Sequence, residues 1–370
     1  MEVLKAIKHY LKNTDYYLLS LALLCSGYGA ILIYSAKLSS GPMRYIVIQG
    51  VAVLIGLAAF VVMSLIDLET MSNWWKIFVI GNVVLQCLLI PFGREAGGQR
   101  AWIDIGPLSL QPGELGKLLF IFTFAAHISE IREHLSELRG LATLAVHVLL
   151  MMGVIVLTSG DTGMAIQYFM IAVVMLFAAG LSLKWIGIGA GIGIASVPIL
   201  WNFVLQQYHK QRILVLFDPS IDIDTARQTL NAQTAIGAGQ MTGQGLTNGT
   251  MTQMGLVSQN HTDFIFSVAG EELGFLGCIA IVILLALLIA RLFYISFRAS
   301  TTFSTMLAVG IAGMFLFQTF MNIFMCLGIL PVMGLTLPLF SYGGTSVVTM
   351  YAALGIAAGV RMREKPAWLQ

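Results

Sequence analysis

Ten apolar stretches of close to twenty residues each recur along the chain, near 17–37, 44–66, 75–92, 113–130, 141–158, 163–180, 184–205, 273–295, 305–327 and 344–361. A helix rises about 1.5 Å per residue and a bilayer core is about 30 Å thick, so runs of this length cross it. A helix also satisfies its own backbone polar groups, which hydrocarbon demands. Composition agrees: of 370 residues, 58% are hydrophobic and 10% charged, where a soluble domain carries about 25% charged residues. The chain therefore reads as an all-α polytopic membrane protein of about ten transmembrane helices, a single membrane-embedded domain over 1–370. Two places leave the count open. One is 141–180, interrupted only by Ser159-Gly160-Asp161-Thr162-Gly163; the other is 328–343, where Pro331 and Pro338 break an apolar stretch and a partly embedded loop is expected. The first run is too long for the h-region of a cleavable leader and further spans follow it, so plasma-membrane residence is expected.

Cys25, Cys87, Cys278 and Cys326 sit far apart inside apolar runs, without ligand spacing to one another or to the six histidines. They read as small buried hydrophobes, and no metal site is assigned. The net charge of +2 singles out no partner class, and nucleic acid is not expected.

With a cytoplasmic N-terminus, the inner loops and tails collect Lys5, Lys8, Lys12, Lys76, Arg132, Arg139, Lys184, Arg291, Arg298, Arg361, Arg363 and Lys365, twelve of the twenty Lys and Arg. That is the positive-inside pattern. Both termini are then cytoplasmic, and the long segment 206–263 is an extracytoplasmic loop between spans seven and eight. Lys37, Arg44, Arg94, Arg100, Lys117, Lys210, Arg212 and Arg227 remain on the outer side, six of them in two regions. Cations kept there against the rule suggest an anionic ligand; the plainer alternative is solvated loop charge.

The first region runs from Gly93 to Pro107 and into Gln111-Pro112-Gly113-Glu114-Leu115-Gly116-Lys117. Pro112 suits the first turn of a helix, which puts Glu114 and Lys117 on one face. A lysine at a helix N-terminus opposes the macrodipole, so Lys117 needs Glu114 or a bound anion. The second region is the 206–263 loop, with Arg212, a helical polar stretch around Thr225 to Ala238, and the glycine-rich run from Gly237 to Gly245. That run lacks the Gly-Lys-Ser/Thr ending of a phosphate loop, so its glycines serve tight turns or close approach to a ligand or neighbouring helix.

At the loop's end His261-Thr262-Asp263-Phe264-Ile265-Phe266 is followed by Gly270-Glu271-Glu272-Leu273-Gly274. Three carboxylates thus meet the start of a membrane helix, where an acid loses solvation unless it is paired or used in chemistry. Glu271 and Glu272 are adjacent and must diverge; one is expected to reach Asp263 or Arg212, the other solvent. Among the remaining polar positions, Gln318 and Asn322 share a helix face for interhelical hydrogen bonding, Asp161 reads as a helix cap, and His147 as a packing residue. The glycines of Gly187-Ile188-Gly189-Ala190-Gly191-Ile192-Gly193 fit lipid-facing grooves and tight helix packing equally.

Taken together, Gln-Pro-Gly-Glu-Leu-Gly-Lys at 111–117, His-Thr-Asp-Phe-Ile-Phe-Ser at 261–267 with Glu-Glu-Leu-Gly at 271–274, and Leu-Pro-Leu-Phe-Ser-Tyr-Gly-Gly-Thr-Ser at 337–346 resemble the SEDS proteins (shape, elongation, division and sporulation), which include RodA and FtsW. The resemblance covers nearly the whole chain. It departs at Gly113 and Thr345, where the family usually has Ser, and at Gly160-Asp161-Thr162-Gly163, where a proline usually precedes the aspartate. It implies a peptidoglycan glycosyltransferase that polymerises lipid II at the extracytoplasmic face of the bacterial cytoplasmic membrane. Asp263 would be the general base towards the acceptor GlcNAc 4-hydroxyl. Arg100, Lys117 and Arg212 would hold diphosphates, with Glu114 orienting Lys117. Thr262, Glu271, Ser341 and Tyr342, all inside the matched motifs, would line the substrate site. The resemblance leaves room for a divalent cation, Mg or Mn, near the acids. Its expected partners are lipid II, polyprenyl diphosphate, membrane lipid and a class B penicillin-binding protein acting as transpeptidase. The short tail after Val360 is closer to RodA, and so to elongation and rod shape, than to FtsW; division and sporulation paralogues stand as alternatives. A lipid II flippase and a non-catalytic scaffold are the readings from other classes.

Overall fold

The computed structural model describes residues 10–363 except 11, 97, 106, 107, 200, 203, 204 and 206. Lys5, Lys8 and Lys365, three of the cations assigned to the inner face, lie outside the described residues. Twelve principal helices follow one another: α1 (Tyr16–Ala36), α2 (Pro42–Leu65), α3 (Trp75–Cys87), α4 (Pro112–Glu130), α5 (Leu138–Ser159), α6 (Thr162–Ala178), α7 (Leu183–Ile199), α8 (Gln207–Leu214), α9 (Ile223–Ala238), α10 (Ile265–Arg298), α11 (Thr302–Cys326) and α12 (Gly344–Met362). Each expected apolar run coincides with one of them, while α8 and α9 belong to the long loop. Among the described residues, seven helical segments are long and apolar enough to cross a membrane: α1, α2, Leu68–Phe92 around α3, α5, α10, α11 and α12. Helices α6 and α7 are apolar but shorter, and α4 carries Glu114 and Lys117 in its first turns.

The break at 159–163 is a true helix boundary. Gly160 ends α5 at φ +69°, and the Asp161 carboxylate caps α6 by accepting from Met164 N at 2.9 Å, as an acid at an N-cap does. The 328–343 stretch, expected as a partly embedded loop, is non-helical and buries Val332, Leu335, Leu337, Leu339 and Phe340 in the protein; it is termed the embedded loop.

The fold is mostly helical, as expected, with one addition. Between α3 and α4 lies a small antiparallel sheet, β1 (Arg94–Ala96), β2 (Gln99–Ile105) and β3 (Leu108–Leu110), in the order β1-β2-β3. Arg94 pairs with Trp102 and Ile103 with Leu110. Gly98 at φ +79° supplies the left-handed turn residue of the first hairpin. An Arg94–Asp104 ion pair at 3.2 Å bridges its strands.

Helix α10 is broken rather than continuous. Gly274 takes φ +67° and ψ −161°, which strands backbone groups on both sides. The glycine-rich run fills all four. Phe275 N donates to Gln240 O at 2.8 Å and Leu276 N to Met241 O at 3.2 Å, while Gln244 N and Gly245 N donate to Glu271 O and Glu272 O at 2.9 and 3.0 Å. Of the roles expected for these glycines, close approach to a neighbouring helix is the one realised: a Cβ on Gly239 would overlap the Gly270 carbonyl. Gly187, Gly189, Gly191 and Gly193 in α7 have open space where a Cβ would stand, so within the described chain they do not mediate tight packing.

Asp15, ahead of α1, accepts from Arg291 Nε late in α10 at 2.9 Å and from Arg361 Nη1 at the end of α12 at 2.7 Å. Both described ends of the chain therefore meet on one face. Asp263, at the opposite end of α10, marks the other.

Candidate active site

Asp263 stands in a tight turn immediately before α10. Thr262 N and Phe264 N both donate to Gln259 O, at 3.1 and 3.2 Å, with Gln259 at φ +45°. Two further segments fix that turn. From α11, Asn322 Nδ2 donates to Asp263 O at 2.7 Å and to Leu335 O at 2.6 Å. From the embedded loop, Ser341 Oγ donates to Thr262 O at 2.6 Å and accepts from Leu337 N at 2.8 Å, and Tyr342 N donates to His261 O at 2.8 Å. Gln49 of α2 closes the set by donating to Ser341 O at 3.2 Å. The motifs at 261–267 and 337–346, distant in sequence, are thus stitched backbone to backbone. Thr262, Asp263, Ser341 and Tyr342 are brought together.

The Asp263 carboxyl is pushed up to about 6 by burial, against the opposing pull of Arg212 and of a hydrogen bond from Thr262; the Asp161 charge adds to the rise. Arg212, on α8, donates from Nη1 to Val332 O at 2.6 Å and lies 4.1 Å from the Tyr208 ring centre. Burial lowers its pKa while Asp263, Asp161 and Asp222 hold it up, and its Nε is buried without a partner. A guanidinium has five N–H donors, so Arg212 keeps donors for an anion beside Asp263. Asp161 is also pushed up to about 6, chiefly by burial. Asp263, Arg212 and Asp161 form one electrostatic group.

Other expected site residues stand elsewhere. Lys117 is fully buried in α4, its Nζ 2.9 Å from both Glu114 oxygens, 3.3 Å from Gln167 Oε1 and 3.0 Å from Gln318 Oε1. An ammonium has three donors, and all are taken, so this arrangement leaves none for a diphosphate. The network continues through Gln318 Nε2, which donates to Thr336 O at 2.9 Å in the embedded loop. Arg100 lies on β2, 3.0 Å from Glu95 Oε1, with Nη1 3.4 Å from Ile90 O; it is not part of the Asp263 group.

The expected divergence of Glu271 and Glu272 towards the site and solvent is also corrected. Both are fully buried and both clamp the long loop. Glu271 accepts from Met251 N, Thr252 N and Thr252 Oγ1 at 2.6, 2.9 and 2.6 Å. Glu272 accepts from Ser35 Oγ at 2.5 Å and Gln253 Nε2 at 2.9 Å. An acid facing unpaired amides at the start of a short helix is well satisfied there.

Asn322 is the site residue that sequence reasoning placed only as interhelical glue. Its signal was the spacing itself: Gln318, Asn322 and Cys326 lie on one face of α11, and that face meets Thr336, the Asp263 carbonyl and, through Cys326 Sγ at 3.6 Å, the same carbonyl again. His147 proves to be paired, its Nδ1 3.2 Å from His127 Nδ1 and its Nε2 3.3 Å from Thr123 Oγ1. Among the described residues no group of three or more His, Cys, Asp or Glu is arranged to hold a metal ion.

The family model described as cell cycle protein, FTSW_RODA_SPOVE, matches residues 15–366. Peptidoglycan glycosyltransferase MrdB of Escherichia coli K12 is 33% identical over 349 residues, covering 94% of this chain and 93% of that protein. The probable peptidoglycan glycosyltransferase FtsW of Bacillus subtilis 168 is 31% identical over 374 residues, with 96% and 92% covered. Among solved structures, a chain of a peptidoglycan synthase complex that coordinates polymerization and crosslinking superposes with a TM-score of 0.79 at 28% identity, covering 94% of this chain and 97% of that one. The rod shape determining protein RodA of Thermus thermophilus gives 0.70 at 27% identity, covering 95% and 98%. Similarity over nearly the full length, in sequence and in fold, places this multi-pass membrane protein in the FtsW, RodA and SpoVE family of cell cycle proteins.

Proposed function

We propose that this chain is a peptidoglycan glycosyltransferase that polymerises lipid II for cell-wall elongation and rod shape, with Asp263 as general base. The observation that carries the reading is the electrostatic coupling of Asp263 with Arg212: a half-buried carboxylate of raised pKa, in a turn fixed by hydrogen bonds from α11 and the embedded loop, under the influence of a cation with unspent donors. The donor sugar hangs on a diphosphate that leaves as an anion, so one base and one cation suffice and the second carboxyl of a glycosidase is not needed. Asp263 takes the proton of the acceptor 4-hydroxyl as that oxygen bonds to the donor anomeric carbon. The bond from that carbon to the diphosphate breaks, its electron pair leaves with the phosphate, and Arg212 offsets the charge as it develops. Asp263 then returns its proton to water.

Lys117 and Glu114 support this site through Gln318 and Thr336 without touching substrate. The acids near Asp263 answer to Arg212 and to a helix cap, a donor set that does not fit a divalent cation, and no step is assigned to one. The relatives' names carry the activity. The complex that couples polymerization with crosslinking supports a class B penicillin-binding protein as partner. The basic residues Arg291, Arg298, Arg361 and Arg363 gather at the end of α10 away from Asp263, which under the positive-inside rule supports an extracytoplasmic Asp263.

The test is glycan polymerisation from purified lipid II by the solubilised protein with its transpeptidase, comparing the unmodified chain with Asp263→Asn. Chains from the former and none from the latter are expected. Equal activity would remove Asp263 from the mechanism. Movement of lipid II across vesicle bilayers without polymer would favour the flippase.

A further inference from the structure

On the other side of Asp263 from its own helix lies a cluster that the mechanism has not used. Three rings from three segments meet: Tyr45 of α2, edge to face with both His261, two residues before Asp263, and Tyr342 of the embedded loop, while His261 and Tyr342 are tilted at 37° to one another. Tyr45 to His261 is 5.3 Å between ring centres, Tyr45 to Tyr342 5.3 Å and His261 to Tyr342 5.4 Å. All three are partly exposed. Lys37, capping α1, places Nζ 5.5 Å above the Tyr45 ring. Arg44 precedes Tyr45 on α2, and its charge acts on Tyr342. Among the described residues neither cation forms a salt bridge. His261 is held down to about 4 by burial and by Lys37, so at neutral pH it presents an uncharged ring.

Lys37, half-buried, and Arg44, exposed, have no acid beside them among the described residues and leave positive charge open to an anion. Aromatic faces beside them offer a negative surface to the C–H edges of a sugar ring, and sites of this make-up, apolar with a few placed charges, suit a ligand part saccharide and part anion. We propose that Lys37, Arg44, Tyr45, His261 and Tyr342 form the acceptor subsite, with the rings supporting the acceptor saccharide and the two cations holding its diphosphate. This rests on the glycosyltransferase reading and assigns its second substrate.

The chemistry fixes which substrate lies where. The donor's diphosphate sits on the carbon under attack, on the face opposite the incoming hydroxyl, and so lies within one sugar ring of the base, a position that Arg212, coupled electrostatically to Asp263, can serve. The acceptor's reacting hydroxyl is on its first sugar, so its diphosphate lies a whole disaccharide away. Lys37 meets that requirement, its Nζ standing 5.5 Å from the Tyr45 ring centre, which is in turn 5.3 Å from that of His261.

The experiment separates the two substrates with lipid II capped on its GlcNAc 4-hydroxyl, which donates but cannot accept. The acceptor is a lipid II analogue with a methylene in place of its anomeric oxygen, which keeps both phosphates and accepts but cannot donate, so each pairing forms one new glycosidic bond and releases the donor's polyprenyl diphosphate. Each component is titrated while the other is held saturating, for the wild type with its transpeptidase and for Lys37→Gln, Tyr45→Ala and Tyr45→Phe. Lys37→Gln and Tyr45→Ala are expected to raise half-saturation for the acceptor at least tenfold and to leave that for the donor within twofold; Tyr45→Phe, which keeps the ring, stays near wild type. Lys37→Gln alters a rim charge and leaves the rings in place, and an unchanged donor curve reports an intact fold. Donor and acceptor curves that shift together, or acceptor curves that do not shift, overturn the acceptor subsite. Absence of product from the wild type overturns the glycosyltransferase reading itself.

Discussion

A carboxylate raised to about 6 by burial titrates where a general base is required to work, and this gives Asp263 two measurable signatures. Polymerisation should climb with pH through about 6, as the free carboxylate replaces the acid. Arg212 opposes that rise, so Arg212→Ala, besides slowing turnover, should carry the remaining activity's acid limb to higher pH; a limb that stays in place would mean another group titrates. The stability signature has the opposite sense. The folded-state value lies above the unfolded one, near 3.9, so folding prefers the protonated form: stability from this group is full below about 4 and lost as pH rises through 6. Asp263→Asn should therefore unfold at higher temperature than wild type at pH 7.5, by on the order of 2 kcal/mol after allowing for solvent that still reaches the carboxylate, with the gap closing below pH 4. Asp263 was legible because an acid beside apolar sequence is costly. Glu271 carried the same signal and proved structural, since sequence gives the burial of a carboxylate but not the direction from which its donors come: here Met251 and Thr252, twenty and nineteen residues upstream.

Among the elements, the break in α10 does most to position Asp263. The 240–245 segment supplies the backbone partners that Gly274 strands, so loop and helix form one unit that ends at the Asp263 turn. Gly239→Ala should force the loop off the Gly270 carbonyl, costing about 1–3 kcal/mol as overpacking does and lowering polymerisation. The solubilised protein should show earlier thermal unfolding and faster cleavage within 240–260. Gly191→Ala, with open space at its Cβ position, is the control and should leave both unchanged. Helices in this fold were legible from apolar run length because hydrocarbon fixes that length. The sheet at 94–110 was not: its outer strands have three residues each, too few to display an alternating pattern, and its order comes from pairing across turns.

Across the whole molecule, ionic groups occupy both ends and the middle of the bundle, and the middle one ties the fold to the site. Glu114, Lys117, Gln167 and Gln318 join α4, α6 and α11, and Gln318 extends the network to Thr336 in the loop that carries Ser341 and Tyr342. The Glu114–Lys117 pair was legible from its i, i+3 spacing, whereas its glutamine partners, fifty and 201 residues further on, were not, since nothing local marks which helices come to lie together. A buried pair of this kind is expensive to break and cheap to replace: removing one partner leaves an uncompensated charge at about 3–5 kcal/mol, while removing both can be nearly neutral. Lys117→Met should accordingly destabilise the protein by that amount and reduce polymerisation, and Glu114→Gln combined with Lys117→Met should recover most of the stability. A thermal-unfolding double-mutant cycle with activity measured alongside separates the roles. Recovery of stability together with activity identifies the pair as scaffolding that positions the embedded loop; recovery of stability without activity would show that the ammonium acts on the bound diphosphate, and that its three protein partners release it when substrate arrives.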